Sequence, residues 1–190
     1  VTADVHQRIM DEVIYPTVNG MAAEGHSYKG FLYAGLMIDT SGAPKVIEFN
    51  CRFGDPETQP IMLRMKSDLV ALCQAAVDGR LDQCQSEWDE RAAVGVVLAA
   101  GGYPGSYAKG DAITGLPDTE VDGEKVFHAG TRLEGDQVVT AGGRVLCATA
   151  LGATVTEAQQ RAYALAGRIQ WRDVFYRKDI AYRAIAREQA

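Results

Sequence analysis

The chain has 190 residues, 47% of them hydrophobic and 23% charged, with a formal net charge of -6. Those values fit a soluble globular protein of one large domain or two small ones, and they argue against a nucleic-acid binder that relies on a basic surface. No stretch is apolar and uncharged for long enough to span a bilayer, and no charged-then-apolar leader opens the chain.

The chain begins with Val1, directly in helix-like sequence, which suggests a fragment of something longer. Val5, Ile9, Val13 and Ile14 recur at helical spacing. Asp4 is the expected cap, and Pro16 is expected to end or kink the helix. Val18 and Met21 to Ala23 add a further turn or two, and Gly25 to Gly30 is a turn-rich connection. Phe31 to Ile38 reads as a buried strand. Asp39-Thr40-Ser41-Gly42 is a hairpin turn, and Lys45 to Asn50 returns antiparallel.

The densest cluster of chemistry follows, in Val46 to Gln59, V-I-E-F-N-C-R-F-G-D-P-E-T-Q. Glu48 and Asn50 lie two apart, so a strand points both to one face, and Arg52 continues the alternation. Ile47, Phe49 and Cys51 fall on the other face, where they can pack against a core. Gly54-Asp55-Pro56 breaks the strand, with Glu57 and Thr58 beyond it. A carboxylate beside an amide oxygen suits a hard cation such as Mg²⁺. An adjacent guanidinium suits phosphate or carboxylate. An exposed polar strand face is the competing explanation.

Gln59 to Met65 is expected to form a short helix. Ser67 is expected to cap a clearer one, with Leu69, Val70, Leu72, Cys73 and Ala76 inward and Gly79 at its end. The polar run Leu81 to Glu90 is the best domain boundary. Ala92 to Ala100 reads as a buried strand. Gly101-Gly102-Tyr103-Pro104-Gly105 matches neither phosphate-loop spacing and reads as a plain turn. Gly110 to Leu116, Lys125 to Ala129, Val138 to Thr140 and Arg144 to Gly152 are β segments. Thr154-x-x-Glu157 and Thr156-x-x-Gln159 are overlapping capping boxes. They open a helix with Ala158, Ala162, Leu165, Ala166 and Ile169 on its apolar face. The second half is thus a small α+β module with mostly antiparallel strands.

The cysteines at 51, 73, 84 and 147 form no C-x-x-C and no zinc spacing. Reduced cytoplasmic thiols are the simple reading, and Cys51 is expected in the core. His6, His26 and His128 are scattered and read as surface or packing residues. Arg64 and Lys66 follow the site loop and read as solvated positions.

The run Gly30 to Met37, then Val46 to Gln59 and Pro60-Ile61-Met62, closely resembles the glycinamide ribonucleotide synthetases, also called phosphoribosylamine–glycine ligases, of the ATP-grasp superfamily. Ala99 to Gly105, Lys125 to Thr131 and Gly142 to Leu146 resemble that family's C-terminal domain. The resemblance implies an α+β fold, with residues 1–88 as the C-terminal part of an ATP-grasp domain and 89–190 as the small C-terminal domain. It implies that ATP, glycine and 5-phosphoribosylamine give glycinamide ribonucleotide, ADP and phosphate through glycyl phosphate, a step of purine synthesis. By the same resemblance Glu48 and Asn50 are ligands of Mg²⁺ or Mn²⁺. Arg52 is the catalytic residue that orients the transferred phosphoryl group, and Gly54, Asp55 and Glu57 bind substrate. No nucleic acid or membrane partner is implied.

Two departures stand out. Many ATP-grasp enzymes carry a glutamate on the preceding strand where this chain has Gly35. The lid and the lysines that hold nucleotide phosphates have no counterpart here. Two other readings stay open: another ATP-grasp carboxylate–amine ligase, or a non-catalytic binding module that kept the fold.

Overall fold

A computed structural model describes residues 1–189. The fold is α+β, and the chain divides into two compact units. The first comprises Val1–Asp55 and Asp68–Gln85; the second comprises Pro56–Ser67 and everything from Ser86 onward.

The first unit opens with α1 (Ala3–Ile9), which runs through a π-helical segment at Met10–Ile14 into α2 (Tyr15–Ala23). Thr2, not Asp4, is the cap, its hydroxyl accepting from the Val5 N–H at 3.3 Å. Pro16 neither ends nor breaks the helix. A proline removes one N–H and crowds the carbonyl four residues back. The wider π turn absorbs both, and the Tyr15 N–H reaches back to the Met10 carbonyl.

Next comes the hairpin of β1 (Tyr33–Ile38) and β2 (Pro44–Asn50), paired antiparallel. Its turn is tied by the Asp39 carboxylate, which accepts from the Ser41 N–H, the Ser41 hydroxyl and the Ala43 N–H at 2.9, 2.6 and 3.0 Å. These bonds hold the Asp39 carboxyl below its ordinary pKa, the Ser41 hydroxyl contributing most. Arg8 anchors the turn to α1, donating to the Ser41 carbonyl at 3.1 Å. The rest of the unit is α4 (Leu69–Val77) and a 3₁₀ turn at Leu81–Gln83. Asp68 caps α4 by accepting from the Val70 and Ala71 N–H groups, while the expected cap, Ser67, accepts from Glu87 in the second unit. Val70 points to solvent rather than inward. Gly79, at φ +71°, closes α4 in the left-handed conformation.

The second unit is a three-layer sandwich. Its sheet has the order β3 (Ala92–Ala99), β7 (Arg144–Gly152), β4 (Glu124–His128), all antiparallel. On one face lies α5 (Val155–Arg168), whose Ala158, Ala162, Leu165 and Ala166 are fully buried against Val96, Leu98, Leu146 and Ala148. On the other lies α3 (Thr58–Arg64). Gly95 makes the second contact possible: a Cβ there would stand 3.3 Å from the Pro60 ring and 3.0 Å from the Cys147 sulfur. The ribbon of β5 (Thr131–Glu134) and β6 (Gln137–Thr140) flanks the sheet. Where a strand was expected at Gly110 to Leu116, the chain makes isolated bridges from Ala112 and Thr114 instead. Thr154 caps α5 through the Glu157 N–H, and α6 (Tyr182–Glu188) adds Glu188 on the Val155 N–H at 2.6 Å. No helix among the described residues is long and apolar enough to cross a membrane.

Candidate functional site

Glu48 and Asn50 emerge side by side on β2. The register sets Tyr33 opposite Asn50 and Gly35 opposite Glu48, so the carboxylate and the amide share one face of the hairpin. Between Gly35 and Leu36 the register slips. Leu36 pairs with Val46, which leaves Ile47 as the extra residue of a β-bulge immediately before Glu48. Glu48 is exposed and Asn50 half-buried. The Glu48 carboxylate has no hydrogen-bond or ion-pair partner among the described residues.

Arg52 departs from the expected alternation. The strand stops at Asn50, and Cys51 and Arg52 form a bend. The guanidinium turns back on its own loop, Nη1 donating to the Phe53 carbonyl at 2.8 Å. That one bond leaves most of its five N–H groups available to an anion. The loop is braced by stacking of Phe53 on Phe31, with ring centroids 4.0 Å apart. Tyr28 in turn donates to the Phe31 carbonyl at 2.7 Å. Gly54 is buried; Asp55 and Glu57 are exposed in the following turn. The division between units falls after Asp55, so Glu48, Asn50, Arg52, Gly54 and Asp55 belong to the first and Glu57 to the second.

The face expected to meet a core is open. Ile47 is 65% exposed and Phe49 43%. Cys51 is exposed too, not in the core, and lies within hydrogen-bonding reach of Tyr28, whose phenol it pushes above its usual pKa. A two-stranded ribbon has two faces, and pairing alone covers neither. The helix positions after the loop have structural work. Arg64 grips the Asp89 carbonyl with Nε and Nη2 at 3.1 and 2.9 Å. The three histidines are exposed.

No three metal-ligating acids, cysteines or histidines cluster among the described residues. The pair Glu48 and Asn50 is nonetheless a fitting donor set for Mg²⁺. That ion takes one or two protein oxygens, keeps several waters and fills its octahedron with phosphate oxygens. Two residues that shape their own units escaped the sequence reading. Gly95 seats α3, and its signal was a lone glycine inside a strand of Ala and Val. Ile47 supplies the bulge, and nothing local announces it.

Comparison with known proteins places the chain in a family. Residues 1–58 match the family model for the phosphoribosylglycinamide synthetase ATP-grasp (A) domain, and residues 93–183 match that for the synthetase C domain. The chain is 74% identical over all 190 residues to a phosphoribosylamine–glycine ligase of Vibrio cholerae, and 72% identical to one of Escherichia coli K12. In each case it spans 44% of the relative's length. A crystal structure of phosphoribosylamine–glycine ligase from Thermotoga maritima superposes with a TM-score of 0.82 at 36% identity, over 94% of this chain and 44% of that one. The chain therefore belongs to the phosphoribosylglycinamide synthetase family, with matches to the models of its ATP-grasp and C domains.

Proposed function

We propose that this chain is the cation-bearing part of an ATP-dependent phosphoribosylamine–glycine ligase of purine synthesis. The observation that carries the reading is the pairing of Glu48 and Asn50 on one face of β2, inside a sequence string specific to the family. The chain covers less than half the length of its relatives, so the nucleotide grip must come from sequence outside it, and the chain alone is expected to be inactive. Residues 1–88 then form the end of the ATP-grasp domain, and 89–190 the C-terminal domain. Free thiols at Cys51, Cys73, Cys84 and Cys147 favour a cytoplasmic setting.

A carboxylate is a poor electrophile. In the reaction an oxygen of glycine attacks the γ-phosphorus of ATP, ADP departs, and glycyl phosphate forms. The amine of 5-phosphoribosylamine then attacks the acyl carbon, and phosphate leaves with the bonding pair. Glu48 and Asn50 would hold the Mg²⁺ or Mn²⁺ ion. When bound, it neutralises charge that builds on the phosphates during transfer. Arg52 orients the transferred phosphoryl group, its free N–H groups matching the oxygens of a phosphate. Gly54, Asp55 and Glu57 contact glycine or the amine; the two carboxylates are suited to an ammonium group.

The test is Glu48→Gln in the full-length ligase, read as metal-dependent ADP release with glycine and phosphoribosylamine. The rate should fall by about 100-fold or more, the scale of losing a group that acts on transition-state charge. An unchanged rate would remove the cation role. Turnover by this fragment, free of full-length enzyme, would overturn the claim that it is an incomplete site.

A further inference from the structure

Gly35 stands opposite Glu48, and its φ lies outside the left-handed region, so the backbone there does not require glycine. Space is the reason instead. A Cβ at position 35 would stand 3.0 Å from Glu48 Cγ, 3.6 Å from the Glu48 carbonyl oxygen and 3.8 Å from its nitrogen. Carbon atoms in good contact sit about 3.5–4.0 Å apart, so the Glu48 side chain lies directly over the place a methyl group would take. The bulge at Ile47, just upstream, is the kind of irregularity that re-aims a side chain. We infer that Gly35 is a positioning residue for the cation: by having no side chain it lets Glu48 lie across β1, on the strand face that also carries Asn50. This rests on the assignment of Glu48 and Asn50 as cation ligands.

Any side chain at position 35 displaces Glu48 Cγ and so re-aims the carboxylate. The substitution adds no charge and removes no ligand, so it weakens cation binding without changing what the bound cation does. The experiment compares Gly35→Ala, Leu36→Ala and Glu48→Gln in the full-length ligase, with Mn²⁺ as probe. It reads the Mn²⁺ activation constant, kcat at saturating Mn²⁺, and Mn²⁺ binding to the ADP complex by electron paramagnetic resonance. Leu36 pairs with Val46 on the opposite face of β1 and reports a general strand effect. Gly35→Ala should raise the activation and binding constants about tenfold, the usual scale for disturbing a group that orients a metal ligand. Its kcat at saturation should stay close to that of the parent, and Leu36→Ala should leave the constants in place. If Gly35→Ala keeps the parental constants while Glu48→Gln loses them, Gly35 has no such role, though the cation assignment stands. Equal shifts in Gly35→Ala and Leu36→Ala would likewise overturn the inference. A Glu48→Gln enzyme with parental Mn²⁺ dependence would remove the assignment beneath it.

Discussion

The two units use the same antiparallel pairing to different ends. In the second, β7 is buried at every position after Arg144, because α5 and α3 cover its two faces. In the first, neither strand of the hairpin has one buried residue, and Met37, Ile47 and Phe49 face solvent. Backbone pairing is alike in both; the layers above and below are not. A two-stranded ribbon alone is marginal in water. The hairpin holds its shape through its turn, its bulge and its tie to α1. The residues assigned to the cation therefore sit on the less buried of the two frameworks.

The sharpest way to break this contrast is a pair of truncations. Leu146 is fully buried in β7, so Leu146→Ala should cost about 2–5 kcal/mol in denaturant unfolding. Ile47→Ala, at a position 65% exposed, should stay within about 0.5 kcal/mol. Equal losses would mean that the hairpin is covered in solution and the contrast is false. Next come two glycines. A Cβ on buried Gly143 would stand 2.2 Å from the Tyr103 ring, and overpacking of that kind costs about 1–3 kcal/mol. In α2, a Cβ on Gly20 meets nothing within 4 Å. Gly20→Ala should therefore stabilise the first unit by about 0.5–1 kcal/mol through helix propensity. Amide exchange across α1 and α2 is the measurement for it.

The same contrast explains what could be read from sequence. β7 was legible end to end, because a strand covered on both faces is a continuous run of Val, Leu and Ala. α5 was legible because Thr154 and Glu157 cap it and small residues recur at its inner face. The pairing of Glu48 with Asn50 followed from a period of two. Arg52 did not follow, because alternation says nothing about where a strand stops. Ile47, Phe49 and Cys51 have the pattern of a core face, but burial depends on a covering layer that local sequence does not encode. Ser67 and Asp68 are neighbours with equal capping chemistry, and the choice between them was made by Glu87, twenty residues away in the chain. Pro16 does not end the helix, because a helix can widen instead of stopping.

The smallest expected effect separates the units by acid. Asp39 in the hairpin turn and Asp89 in the second unit both have carboxyls held below the ordinary range. Asp39 owes this first to the Ser41 hydroxyl, and Asp89 first to the Arg91 side chain, which donates at 2.8 and 3.0 Å. A carboxylate with a depressed folded-state pKa adds stability above its unfolded value of about 3.9. That contribution is lost as the pH falls through the folded-state value. Asp89→Asn should thus lower the main melting transition at pH 7, with the gap to the parent narrowing as the pH falls toward about 3. Asp39→Asn keeps an oxygen acceptor and loses the charge. If the hairpin opens separately from the second unit, its effect should appear in faster exchange of the Ser41 and Ala43 amides at pH 7, leaving the main transition in place. A shift of the main transition by Asp39→Asn as large as that by Asp89→Asn would show that the units unfold together, and that the exposed hairpin shares the stability of the buried sheet.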